Sequence, residues 1–402
     1  MIHAPTPRLL RFGGAAVLAV ALALAGCRSR TPTVSTPTLD PARLAVLDQA
    51  VVSAISSNQC PGGVLWLESR GSRHLRAFGQ QAVEPTREPT TPETVYDAAS
   101  LTKVMATAPA VMKLWEQGRL DVEAPVQRYL PAFSAHGKEG ITVRHLLTHT
   151  SGLRPGLGGG SWTGADEAER RACDETPTQP PGQKFVYSDI NFILLGRIVE
   201  KVAGEPLDVF CEREFYRPLG MRSTVYRPLN RIPANRIAPT ERQPDGTVLR
   251  GVVHDPTARR MGGVAGHAGL FTTAGDVARF CRMFLGEGEL DGRRVLKAET
   301  VRAMTAVQSP PELPKRGFGW DIDSPYAGPR GNLFPVGSYG HSGWTGTSFW
   351  IDPGSGSFIV FLSNRNHPTE AGNVIALRRR LGTLAAEAVG IQAATPPGNA
   401  IR

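Results

Sequence analysis

The sequence predicts a mixed α/β (α+β) domain. One antiparallel sheet draws its strands from both ends of the chain, and a helical lobe is inserted between them. Three observations predict it. Strand-like runs occur at Gly62–Ser69 and His74–Gln80, then again only late, at Ser348–Ile351 and Ser357–Ser363. Between them apolar residues recur at helical spacing, and no internal repeat interrupts the pattern. With 402 residues, 41% hydrophobic and 20% charged, the chain can fill one large core. Distant strands that share one core must meet in one sheet, so the segment between them forms the insertion.

In chain order, Arg8 and Arg11 precede an apolar run, Gly13 to Gly26, that is too short to span a bilayer. The run ends in Leu24-Ala25-Gly26-Cys27, which resembles a bacterial lipobox. Residues 1–27 therefore read as a lipoprotein signal with Cys27 as the lipidated residue, or as a plain secretory signal. Arg28 after the cysteine suggests the periplasmic face of the outer membrane. Residues 28–39, rich in Pro, Thr and Ser, read as a tether, and 391–402 as a tail. The body spans 40–390, with the helical lobe at about 104–285. Asp40-Pro41 opens a helix with a cap and a first-turn proline, its stripe being Leu44, Leu47, Val51 and Ile55. Leu101 to Trp115 reads as a helix stopped by Gly118. Ile141 to Leu153 reads as another, with Thr142 as cap and Gly152 as stop. Helices follow at Ile190–Ala203, Leu207–Phe215, Ala274–Phe284 and Val374–Val389.

Composition excludes some functions. The net charge is +9, and removal of Arg8 and Arg11 with the signal leaves +7. Arginines without interleaved aromatics do not make a nucleic-acid surface, whereas a positive face suits anionic lipid or cell-wall polymers. Cys60, Cys173, Cys211 and Cys281 are spaced for neither a dense disulfide framework nor a zinc site. Cys211 and Cys281 read as small core residues. The expected state is a monomer, anchored to the membrane by lipid and without a cofactor.

The chemistry concentrates at Val95-Tyr96-Asp97-Ala98-Ala99-Ser100-Leu101-Thr102-Lys103. Residues three apart at a helix start lie on one face, so the Lys103 ammonium can reach the Ser100 hydroxyl. A serine attacks only when a neighbouring base takes its proton, and the free N–H groups of a helix start favour an oxyanion. Tyr187-Ser188-Asp189 places a tyrosine before a helix that Asp189 can cap, and His341-Ser342-Gly343-Trp344 puts small residues where a backbone must approach closely.

In order and spacing these stretches resemble the serine β-lactamase and penicillin-binding-protein superfamily, in its class C-like branch. Ser100-Leu101-Thr102-Lys103 matches the first motif. Tyr187-Ser188-Asp189 matches Tyr-x-Asn with Asp for Asn, and His341-Ser342-Gly343 matches Lys-Thr-Gly with His for Lys. Leu146 to Leu153, reading Leu-Leu-Thr-His-Thr-Ser-Gly-Leu, is a further hallmark of that branch. The resemblance implies a β-lactamase/transpeptidase-like fold. It also implies Ser100 as nucleophile, Lys103 and Tyr187 sharing the base work, and an oxyanion hole from the amides of Ser100 and Trp344. Which of Lys103 and Tyr187 is the main base stays open.

The departures shape the substrate expectation. A histidine, charged only part of the time near neutrality, is a poor carboxylate anchor, so penicillins should be poor substrates and His341 should shape the pH profile near pH 7. Asp189 beside Lys103 should raise that lysine's pKa. The segment Val253–Phe271 resembles a peptidoglycan-linked subgroup containing N-acetylmuramoyl-L-alanine amidases and D-alanyl-D-alanine carboxypeptidase-like lipoproteins similar to penicillin-binding protein 4B. Its glycines suit either a substrate cleft bearing His254, Asp255 and His267, or a structural loop. Zinc held by those three residues lacks a fourth ligand. Asp189, His341, Ser342, Gly343, His254, Asp255 and His267 are thus the candidate substrate-binding residues. The expected activity is a periplasmic serine hydrolase acting on peptidoglycan-derived amides. The alternatives are an esterase or weak β-lactamase and, in another class, a non-catalytic receptor for wall fragments or β-lactams.

Overall fold

The computed structural model describes residues 39–392. The signal 1–27, nearly all of the 28–39 tether and most of the 391–402 tail lie outside the described residues. Among the described residues no helix is long and apolar enough to cross a membrane.

Eight strands form the main sheet: β1 (Gly62–Ser69), β2 (Ser72–Ala82), β3 (Glu88–Pro89), β4 (Lys315–Arg316), β5 (Asp321–Asp323), β6 (Tyr339–Ser342), β7 (Ser348–Asp352) and β8 (Ser357–Ser363). Their spatial order is β3-β2-β1-β8-β7-β6-β5-β4, every neighbouring pair antiparallel. The join between the two ends of the chain is the β1–β8 ladder, in which Val64 faces Leu362 and Leu67 faces Ile359.

That ladder explains why the strands read as continuous apolar runs. Val64 and Trp66, with Phe358, Val360 and Leu362, face the helical lobe; Leu65 and Leu67, with Ile359 and Phe361, face the other way. On that other side lie the helices Pro41–Ser56 and Ile375–Ala388. Side chains alternate with period two, so the centre of a strand buried on both faces reads as a continuous apolar run, with polar residues only toward its ends. Asp40 caps the first helix, accepting from the Ala42 amide at 2.9 Å. A third cluster, containing Val95, Ile193, Ile237, Val253 and Phe271, ties the segment around residue 260 to the lobe.

Four boundaries differ from the sequence expectation. The sheet resumes only at Lys315, so the insertion runs past 285, and the Ala274–Leu285 helix joins the core against the sheet. The helix after Ser100 carries a π turn, Lys103–Thr107, before its α portion Ala108–Glu116. Pro109 has no N–H to give the Met105 carbonyl, which accepts from the Tyr216 hydroxyl instead. The Ile141–Leu153 helix is shorter, Val143–Leu147, because His149 turns to φ +58° while Thr142 caps as expected. The helix from Leu207 likewise ends at Cys211 and passes into a π turn, Glu212–Tyr216. The four cysteines among the described residues are buried and unpaired.

Candidate active site

The nucleophile turn is held by side-chain and backbone hydrogen bonds from three segments. Ala99 sits at φ +47°, a left-handed conformation unfavourable for a residue with a Cβ. The Asp97 carboxylate offsets that strain by accepting the Ala99 amide at 2.9 Å and, through its other oxygen, the His254 amide at 2.7 Å. From the sheet, the Thr345 and Thr347 hydroxyls donate to the carbonyls of Asp97 and Ala98 at 2.7 and 3.0 Å. Gly343 is required there. A Cβ at 343 would stand 2.6 Å from the Ala98 carbonyl oxygen. This is the close approach that the small residues after His341 led one to expect.

Ser100 Oγ accepts from Lys103 Nζ at 3.0 Å, and the same ammonium donates to the His267 carbonyl at 3.1 Å and pairs with Asp189 at 2.7 Å. The lysine side chain is wholly buried. Burial acts to lower its pKa, but the charge of Asp189 and the Tyr187 phenol outweigh it, and the net shift is upward. At neutral pH Lys103 is therefore an ammonium, donating to the Ser100 oxygen. Asp189 does not cap its helix; Ser188 is at the cap position, and the Asp189 carboxylate turns to Lys103.

Tyr187 lies beside this pair, its ring centroid 5.0 Å from Lys103 Nζ. Behind it His149 stacks with ring centroids 4.4 Å apart, and His149 Nδ1 accepts the Ser188 amide at 3.1 Å. Burial, Arg316 and Lys103 hold His149 well below its ordinary pKa, so the ring is neutral. The hallmark Leu146–Leu153 thus places an uncharged ring against the tyrosine, a role that sequence spacing alone does not reveal.

Ser100, Tyr187, His341, Ser342, Gly343 and Trp344 all face one cleft of about 790 Å³. Tyr326, Pro329, Ile375 and the arginines 365 and 379 also line the cleft, with the Tyr326 ring centroid 5.0 Å from that of Tyr187. Among the described residues neither the Ser100 amide nor the Trp344 amide has a hydrogen-bond acceptor, the condition an oxyanion hole needs. Trp344 is held by Arg365, whose Nε donates to its carbonyl and whose guanidinium stacks 4.6 Å over its ring.

His341 differs from the sequence expectation. It is 4% exposed, and burial together with Arg316 and Lys103 holds it well below its ordinary pKa. Its Nδ1 bonds the Ser342 carbonyl at 2.9 Å, which fixes the proton on Nδ1. At neutral pH it is an uncharged ring whose Nε2 is an acceptor without a partner, so it does not titrate near pH 7.

The remaining candidates do not reach the cleft wall. His254 turns its Nε2 to Glu370 and Glu241, 3.0 and 3.4 Å away. Asp255 caps the short helix Pro256–Arg260 and accepts from His267, whose side chain is buried. His254 therefore belongs to one group of ligand-type side chains and Asp255 with His267 to another that includes Asp189. The set of His254, Asp255 and His267 does not converge on a point.

Comparison with known proteins gives this arrangement a family. A model of the β-lactamase family matches residues 47–384. An N-acetylmuramyl-L-alanine amidase of Bacillus subtilis is 36% identical over 323 residues, 70% of this chain and 71% of the relative. An Escherichia coli protein provisionally named a D-alanyl-D-alanine carboxypeptidase is 35% identical over 306 residues, 68% and 70% of the two chains. The octameric penicillin-binding protein homologue of Pyrococcus abyssi superposes with a TM-score of 0.67 at 26% identity, covering 86% of this chain and 78% of its own. A Ser-x-x-Lys pair whose serine faces the cleft and whose lysine is buried against it, on this sheet and with these relatives, places the chain in the β-lactamase family of serine hydrolases.

Proposed function

We propose that this hydrolase cleaves amide bonds of peptidoglycan-derived fragments through an acyl-enzyme on Ser100, on the periplasmic face of the outer membrane, where lipidated Cys27 holds it. The observation that carries the proposal is the 3.0 Å contact from Lys103 Nζ to Ser100 Oγ at the cleft floor. With Lys103 an ammonium, the base in this reading is Tyr187 in its phenolate form, which takes the Ser100 proton and becomes the phenol as the hydroxyl oxygen bonds the substrate carbonyl carbon. The Ser100 and Trp344 amides take the developing oxyanion. The C–N bond then breaks, and Tyr187 returns the proton to the departing amine. Water, deprotonated by the same phenolate, cleaves the ester and restores Ser100.

Substrate class follows from the cleft and the relatives. Exposed Trp344 and Ile375 offer apolar surface, while exposed Arg379 offers a cation to a peptide's carboxylate. His341, neutral and accepting, suits a donor group of the substrate rather than the carboxylate of a β-lactam. The amidase and carboxypeptidase names of the relatives lie on the same polymer. The soluble chain from Leu39, incubated with muropeptides and followed by product mass, should release peptide from N-acetylmuramyl-L-alanine linkages or a terminal D-alanine. Hydrolysis of p-nitrophenyl esters with muropeptides left intact would make it an esterase. A fluorescent penicillin retained for hours without turnover would make it a receptor.

A further inference from the structure

Asp189 places a carboxylate where the resembled motif carries a neutral amide, and a buried ammonium beside it would be fully served by that one charge. The structure adds a second. Carboxylate oxygens of Asp189 and Asp255 and a ring nitrogen of His267 lie within 4.8 Å of one another. Lys103 already supplies the cation of this group, since its Nζ is 2.7 Å from Asp189 and also donates to the His267 carbonyl.

The His267 backbone is held from two directions. On one side Gly266 packs so closely that a Cβ there would stand 2.0 Å from the Phe192 carbonyl oxygen, and its own carbonyl accepts the Thr107 hydroxyl at 2.6 Å. On the other, the His267 ring bonds the Asp255 carboxylate at 2.9 Å, and its side chain is 1% exposed. Asp255 is fixed in turn by the Ala258 amide at 2.7 Å. Its neighbour His254 is fixed by Asp97, the residue that also holds the turn before Ser100.

Resting on the reading of Ser100 as nucleophile, we propose that Asp255 and His267 are positioning residues that hold the Lys103 ammonium against Ser100, His267 through its carbonyl and Asp255 through its charge. Neither lines the cleft, so both act through Lys103. The other charged or titratable groups around Lys103 are Asp189 and Tyr187, which raise its pKa, and His149 and His341, on which its charge acts together with that of Arg316. Burial works against the Asp255 carboxylate, yet His267, the Ala258 amide and Lys103 together hold it well below the ordinary carboxylate range. It is thus a permanent negative charge at working pH.

The test separates position from scaffolding and does not need the natural substrate. A fluorophosphonate probe labels an activated serine: the Oγ–P bond forms, the P–F bond breaks, fluoride leaves, and the serine proton goes to the base. Its labelling rate is measured against pH for wild type, Asp255→Asn, His267→Gln and His267→Ala, with Tm alongside. Asn keeps the cap but removes the charge, so Asp255→Asn should move the alkaline limb to lower pH by about half a unit or more, because a lost negative charge favours deprotonation of Lys103. The same variant should label about tenfold slower near neutrality. His267→Gln, which keeps a donor toward Asp255, should retain most of the rate that His267→Ala loses. An unmoved limb in Asp255→Asn, whatever its Tm, overturns the positioning role. So does labelling that falls on chelation and returns with zinc, which would make the group a metal site. Wild type that resists labelling overturns the Ser100 reading and this inference with it, whereas normal wild-type labelling with an unmoved limb overturns only the inference.

Discussion

Two cation–carboxylate pairs are buried near the same cleft, and they differ in what they leave open. Arg316 and Asp321 are 0% and 2% exposed, 3.2 Å apart, and Arg316 spends another donor on the Gly319 carbonyl. Lys103 is equally buried, but its partner Asp189 is 34% exposed and its remaining donors reach Ser100 and His267. Closing both partners of a pair fixes a geometry and leaves neither charge a donor or acceptor for a reacting group, although the Arg316 charge is still felt by His149 and His341. Leaving one partner in contact with solvent lets the charge of the other be felt by a reacting group. The same chemistry thus serves scaffold in one place and catalysis in the other, and the exposure of the carboxylate separates them.

The largest expected effect is the loss of Ser100. Ser100→Ala removes one oxygen from a site whose parts act as a unit, so hydrolysis should fall by about 10⁴-fold or more with Tm nearly unchanged. Steady-state turnover of whichever ester or amide proves cleavable measures it, and residual turnover near wild type would take the chemistry away from this pair. Tyr187→Phe, which removes the proton carrier, and Lys103→Met, which removes the cation donating to Ser100, should each reduce turnover by about 10²–10⁴-fold.

Stability should rank the two pairs in the opposite order. Arg316→Met strands the almost wholly enclosed Asp321, whose carboxyl burial already pushes upward against the pull of Arg316. The loss should be about 3–5 kcal/mol in urea unfolding. Lys103→Met leaves Asp189 able to hydrate at its open edge, so its loss should be about 1 kcal/mol. Equal losses for the two methionine variants would remove the distinction drawn from exposure.

The two pairs were also unequally legible in the sequence. Ser100, Lys103 and Tyr187 are close in sequence to helix starts and small residues, so spacing alone brings Ser100 and Lys103 to one face. The sheet ends were legible because the centres of β1 and β8, Val64–Leu67 and Phe358–Leu362, are apolar at every position, the mark of a strand covered on both sides. Arg316 and Asp321 gave no signal. They lie on a two-residue edge strand and its three-residue neighbour, too short for a period to show, and their pairing depends on how that edge folds back. The π turn after Lys103 was hidden for a different reason, since helical patterning does not distinguish an added residue per turn when all faces are buried. His254, Asp255 and His267 were visible as chemistry-bearing residues, but their direction was not. Only the packing of the glycine segment against Phe192 shows that they face the lysine and an outer acidic pair rather than substrate.

The smallest effect concerns the neutral rings that border the reactive pair. His149 and His341 are both held well below the ordinary histidine pKa, with burial as the leading cause and Arg316 and Lys103 adding to it. In the unfolded chain each takes up a proton as pH drops through about 6.5, while in the folded chain it does not. The unfolded chain then binds more protons than the folded one, so stability is complete above that pH and declines as pH falls below it. Each ring contributes at most about 1.4 kcal/mol per pH unit to the slope. His341→Gln carries no titrating ring, so the fall in Tm between pH 6.5 and 5 should become shallower while turnover at pH 7.5 changes by only about two- to tenfold. The Arg316–Asp321 pair supplies the contrast, because Asp321 is a carboxyl whose pKa is pushed up rather than a base held down. Asp321→Asn should therefore lower Tm across this pH range without flattening its slope. A slope that flattens in Asp321→Asn and persists in His341→Gln would assign the acid sensitivity to the scaffold pair instead of to the rings of the site.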